Sequence, residues 1–108
     1  MEHDCICAFV SHLPHVLSNV FLQTVLAEEK DMARFGGPSF RDMTRIAGSS
    51  PGVWSDIFLT NRRLARAIRT FMRNLEHFLR LLEGEKEEEM HRFLETMASL
   101  KERLHRAP

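Results

Sequence analysis

Two short clusters in this chain carry residue types able to bind an anion. The first is Ser11-His12-Leu13-Pro14-His15, set in an otherwise apolar stretch. The second runs from Phe40 to Asn61, FRDMTRIAGSSPGVWSDIFLTN, and places Asp42, Arg45 and Trp54 around a Ser-Ser-Pro turn. Polar groups in apolar settings cost free energy unless they are partnered. Two such clusters in so short a chain point to one shared site for an anionic small molecule. Arg45 suits a carboxylate because its planar fork matches the two oxygens with two hydrogen bonds. Asp42, three residues earlier on the same helical face, either forms a plain surface pair with Arg45 or holds the guanidinium for a ligand. His12 and His15 also share a helical face. Each is either a satisfied core imidazole or a hydrogen-bonding group for the ligand. They make a poor metal site, since no third ligand has convincing spacing. Trp54 opens an apolar stripe, so it packs as core and can still wall a pocket.

The elements that must position these groups are helices. Glycine and proline divide the chain at Gly36-Gly37-Pro38, at Gly48 to Gly52 and at Gly84. No alternating β-branched run occurs, so no sheet is expected. The first helix is predicted from about Asp4 to Lys30, with Ile6, Phe9, Val10, Leu13, Leu17, Val20, Phe21 and Val25 as one stripe. Pro14 should kink it beside the two histidines. A short helix is predicted from Ser39, as N-cap, to Ala47. A long third helix starts at Ser50-Pro51 and carries Ile57, Asn61, Leu64, Ile68, Phe71, Leu75, Phe78 and Leu82 as an unbroken heptad seam. A fourth begins in the acidic run Glu85 to Glu89 and repeats the step through Met90, Phe93, Met97, Leu100 and Leu104. The expectation is one all-α domain over residues 1–108, three long helices and one short. Its apolar area exceeds what one copy can hide, which predicts an intertwined homodimer.

Bulk properties exclude several classes. The 108 residues suffice for one domain, and acids and bases balance at 15 each. Neither a nucleic acid nor an anionic membrane is required as partner. The arginines at 62, 63, 66, 69 and 73 are expected to form a solvated helix face. No run of eighteen apolar residues occurs, so no transmembrane helix is expected, and no signal peptide is evident. The expected compartment is the cytoplasm. Cys5 and Cys7 are expected to be reduced helix residues.

SHLPH, followed after an apolar helix by F-R-D-x-T-R-I-A-x-S-x-P-x-x-W-x-D-I-F-x-x-N, resembles the C-terminal helical domain of the prephenate and arogenate dehydrogenase family. The likeness is clear as motif through Arg63 and continues beyond as helical pattern. It implies the NAD- or NADP-dependent oxidation and decarboxylation of prephenate to 4-hydroxyphenylpyruvate, in tyrosine biosynthesis. It also implies that Arg45 binds the substrate carboxylate and Asp42 supports it. Ser11, His12 and His15 would line the pocket, and Trp54 would help close it. Tyrosine is an implied inhibitor. The family's dinucleotide-binding domain and catalytic His match nothing in this chain, which has no G-x-G-x-x-G. The chain is therefore expected to bind no cofactor and to turn over no substrate alone, and to work with a dinucleotide domain in cis or in trans. Pro38 departs from the family's Gly-rich run, and it lacks an N–H for any backbone contact to ligand. The alternative expectation is a non-catalytic dimeric module that senses tyrosine or docks a protein.

Overall fold

The computed structural model describes residues 3–106, and among them only helices and turns form. Helix α1 runs His3–Glu28 without a break. Its middle, Ala8–His12, is a π-helix, where the Leu13 N–H reaches back five residues to the Ala8 carbonyl. Pro14 follows at once. It has no N–H, and in a regular helix its ring would press on the carbonyl four residues back. The wider π turn just before it makes room for the ring. An extended Glu29 ends the helix slightly before Lys30, and a 3-10 turn spans Lys30–Phe35.

Helix α2, Pro38–Thr44, begins one residue before the expected Ser39 cap. Gly37 holds the cap position, and Pro38, whose φ is already helical, fills the first turn. The helix also stops short of Ala47, because a turn over residues 45–48 takes over. Ser49 Oγ donates to the Ile46 carbonyl at 2.7 Å. Gly48 has φ +75°, a conformation glycine adopts without penalty.

Helix α3, Pro51–Thr60, starts on proline as expected. The unbroken seam does not hold. Asn61 adopts an extended backbone, φ −89° and ψ 99°, and α4 begins afresh as Leu64–Glu83. Helix α5, Glu87–Arg106, follows a turn in which Glu85 takes φ 51° and the Lys86 N–H bonds the Leu81 carbonyl at 3.0 Å. That bond satisfies a carbonyl left open at the end of α4. Acids at the start of α5 and Arg103, His105 and Arg106 at its end complement the helix dipole.

The chain divides into two compact units, with the boundary inside α4 after Arg69. The first unit buries Ala8, Leu13, Leu64 and Ala67 and pairs the rings of Phe21 and Phe40 at 6.0 Å. The second buries Leu81 and pairs Phe78 with Phe93 at 5.9 Å. Both cores are thin. Val10 is 70% exposed, Leu79 47% and Leu104 69%. On α4, Met72, Leu75, Phe78, Leu79 and Leu82 line an open apolar groove of about 430 Å³.

One expectation about α1 needs correction. By length and composition it is apolar enough to cross a membrane. A count of unbroken apolar runs misses this. Ser11, His12, His15, Ser18 and Asn19 break those runs, but from Cys5 to Ala27 no residue is an acid, a lysine or an arginine.

Candidate functional site

The π segment and the next turn of α1 bring His12 and His15 against Trp54 of α3. The His15 ring stacks on the indole, with centroids 3.6 Å apart and planes 16° from parallel. His12 meets the same indole edge-on at 6.0 Å and 87°. Phe58, one turn along α3, supports the indole at 5.5 Å. Trp54 is half-buried, so one residue serves both as packing and as a wall. Ser11 takes part through its backbone, since its carbonyl accepts a 3.0 Å hydrogen bond from His15 Nδ1.

Asn61, a seam position by its spacing in the sequence, completes the cluster. Its side chain reaches back to α1, to the Asp4 carbonyl and His12 Nδ1, each at 3.0 Å. Its oxygen accepts from the Arg63 N–H at 2.9 Å. These contacts explain the break between α3 and α4. The Asn61 N–H still bonds the Ile57 carbonyl at 3.3 Å and so closes α3, while the side chain of this buried residue, 9% exposed, is spent on α1 and on the start of α4. The signal available in the sequence was an Asn inside an apolar seam, a residue that competes with helical backbone bonding.

Asn19 ties the second cluster to the first. Its amide nitrogen donates to the His15 carbonyl at 2.8 Å, and its oxygen accepts from the Gly48 N–H at 3.3 Å. The turn that follows Arg45 is thus anchored to the turn of α1 that carries His15. Beside Trp54 lies a cleft of about 410 Å³, bounded by Asn19, Gly48, Ser49, Pro51, Ser55 and Phe58 among others.

Arg45 and Asp42 stand apart from this cluster. Both are exposed, and among the described residues no ion pair within 4.0 Å joins them to each other. The expected orienting pair is therefore not formed. Asp42 lies inside α2 and Arg45 is its C-cap, still with helical φ −53° and ψ −38°, so the spacing is kept although the pair does not form. Cys5 and Cys7 are free thiols, and Cys7 Sγ lies 3.5 Å from His3 Nε2. Among the described residues no group of three or more His, Cys, Asp or Glu could hold a metal ion.

These features define an all-helical domain with thin cores and wide apolar faces, carrying one aromatic and imidazole cluster. Residues 1–98 match the model of the prephenate dehydrogenase dimerization domain, and the chain belongs to that family. It is 33% identical over 99 residues to prephenate dehydrogenase of Bacillus subtilis (strain 168), covering 88% of this chain and 27% of that protein. It is 43% identical over 64 residues to cyclohexadienyl dehydrogenase of Zymomonas mobilis, covering 56% of this chain and 22% of the relative. The chain thus spans about a quarter of the length of these relatives. Among solved structures, prephenate dehydrogenase from A. aeolicus, in complex with hydroxyphenyl propionate and NAD+, superposes with a TM-score of 0.87 at 34% identity, over 94% of this chain and 37% of that one. Arogenate dehydrogenase from Synechocystis gives a TM-score of 0.85 at 24% identity over 94% of this chain and 39% of that one, a likeness of fold.

Proposed function

We propose that this chain is the dimerization and substrate-binding part of a prephenate or arogenate dehydrogenase. The enzyme would oxidise and decarboxylate prephenate to 4-hydroxyphenylpyruvate with NAD or NADP. The observation that carries this reading is the convergence of His12, His15 and Trp54, with the Nε2 of each imidazole free of any protein partner among the described residues. Membership of the dimerization-domain family supports it.

The residues described here do not suit a dinucleotide. They offer no strand, glycine loop and helix in succession, so the cofactor would be held by residues outside them. The chain's own part is to bind and orient the acid. Arg45 would take a carboxylate, Asp42 would tune it once a ligand or a second copy orders the pair, and the imidazoles would bond the polar substituents. Ser11 holds His15 in register. Tyrosine would occupy the same cleft as a competitor. The apolar face of α1 is better matched to a second copy of the chain than to lipid, because uncharged polar side chains recur along it and would be costly in a bilayer. A homodimer in the cytoplasm follows from that assignment.

The test is a thermal-shift titration of the chain with prephenate, with hydroxyphenyl propionate and with tyrosine, beside Arg45→Ala. Saturating ligand, at about 100 times Kd, should add about 2.7 kcal/mol of stability. Arg45→Ala should weaken prephenate binding by about 2 kcal/mol or more, which is roughly 30-fold. It should leave the unliganded melting temperature unchanged, since the side chain is exposed and has no ion pair among the described residues. Equal shifts in the wild-type and variant proteins would sink the assignment of Arg45. No shift with any of the three acids would sink the binding role of the chain.

A further inference from the structure

Every hydrogen-bonding atom of the Asn61 amide has a partner, and together the partners dictate which way each group points. The Arg63 N–H can only donate, so the amide atom it meets at 2.9 Å is the oxygen. The amide nitrogen then faces the Asp4 carbonyl and His12 Nδ1, both at 3.0 Å. A donor facing Nδ1 requires a lone pair there, so the neutral His12 ring carries its hydrogen on Nε2. His15 is the reverse. Its Nδ1 meets the Ser11 carbonyl, which only accepts, so Nδ1 holds the hydrogen and Nε2 keeps a lone pair. Beside one indole, the two rings therefore present opposite polarities.

A plain turn-forming role would not need this residue. The bond from the Arg63 N–H to a side-chain oxygen starts α4, and Asp or Ser supplies such an oxygen equally well. Only the amide of Asn or Gln adds two N–H donors to that acceptor, and both donors are spent on α1. One holds the carbonyl before the π segment, and the other holds the imidazole at its end.

We infer that Asn61 is a positioning residue that locks His12 as an Nε2–H donor, so that His12 and His15 offer a ligand one donor and one acceptor. The inference rests on the reading of this cluster as the ligand site, and it narrows the ligand class. The ligand is a small acid with an acceptor oxygen for His12 and a hydroxyl for His15. An acid with acceptors alone leaves the His15 lone pair facing another lone pair and is selected against.

The experiment is long-range proton–nitrogen NMR of the 15N-labelled chain at about pH 8.5, above the range where an ordinary imidazole titrates. In the wild-type chain His12 should carry hydrogen on Nε2 and His15 on Nδ1. Asn61→Asp keeps the size and the acceptor for Arg63 but replaces the donor with an acceptor. It should switch His12 to the Nδ1–H form and leave His15 unchanged. A mixed or Nδ1-protonated His12 in the wild-type chain overturns the inference, and that result needs no variant to fold. An unchanged His12 in a folded Asn61→Asp chain overturns it as well. Hydroxyphenyl propionate should move both Nε2 signals and bind roughly tenfold more weakly to Asn61→Asp, the worth of about one hydrogen bond. A locked His12 whose signals the acid does not move would uphold the lock and refute the ligand reading beneath it.

Discussion

Trp54 links α3 to α1, and replacing it measures that link. The indole is about two thirds buried or more and touches three rings, His15, His12 and Phe58. A tryptophan buries about 150–250 Å² when fully enclosed. Two thirds of that, at about 25 cal/mol per Å², gives about 2.5–4 kcal/mol. The stack on His15 adds roughly 0.5–1.5 kcal/mol beyond area. Trp54→Ala should therefore cost about 3–5 kcal/mol, which falls within the range for large aromatic truncations. For a chain of this size each kcal/mol lowers Tm by roughly 4–8 °C, so the loss should exceed about 12 °C. Trp54→Phe keeps one ring against His15 and should cost about half as much. Urea unfolding followed by far-UV circular dichroism, at fixed chain concentration, measures both differences. A loss under about 1 kcal/mol for Trp54→Ala would mean that α3 does not lean on α1 through this ring, and the cluster as described would be wrong.

Two further substitutions probe side chains left without a partner or cover among the described residues. Ser18 is 2% exposed, and its hydroxyl has no hydrogen-bond partner among the described residues. An unsatisfied buried hydroxyl costs about 1–3 kcal/mol, so Ser18→Ala should leave stability equal or raise it by about 1 kcal/mol in a thermal melt. A clear loss would show that a second copy or a ligand supplies the missing partner. Leu79 sits in the apolar groove of α4 and is 47% exposed. If that groove is the dimer contact, Leu79→Lys should weaken association by at least about tenfold, since a buried leucine is worth about 1.5–3 kcal/mol and the change adds a charge. Sedimentation equilibrium reads this directly, and an unchanged dimer would move the interface elsewhere.

Helix content was legible because periodicity and punctuation are local. Pro51 starting α3 and the break at Gly84 follow from the geometry of single residues. Asn61 was not legible in the same way. Its partners lie 49 and 57 positions away, and no local pattern encodes that distance. A heptad count saw only an Asn at the right step and ran the helix through it. The pairing of Asp42 with Arg45 is a different case. Arg45 keeps helical backbone angles, but two exposed side chains at the right spacing gain too little from pairing for spacing alone to fix it. The stripe on α1 is apolar as its spacing implies, but Val10 and Val20 stay exposed, at 70% and 49%, which spacing alone does not reveal. The histidine pair and Trp54 were recognisable as unusual, yet only the fold reveals that one ring lies flat on the indole and the other stands on edge.

The π segment has a consequence for phase. A regular helix turns about 100° per residue, and one widened turn accommodates one residue more than the ladder otherwise would. Residues 3–7 and residues 13–28 of α1 therefore belong to two stripes offset by about one residue's rotation. Deleting a single residue between Ala8 and His12 would close the π turn with both flanking stretches still in phase, since it removes only the residue that the wide turn absorbs. It would also return Pro14 to a regular ladder, where its ring presses on the carbonyl four residues back. A one-residue deletion there would thus test the room made for Pro14 without carrying the Asp4 carbonyl away from Asn61.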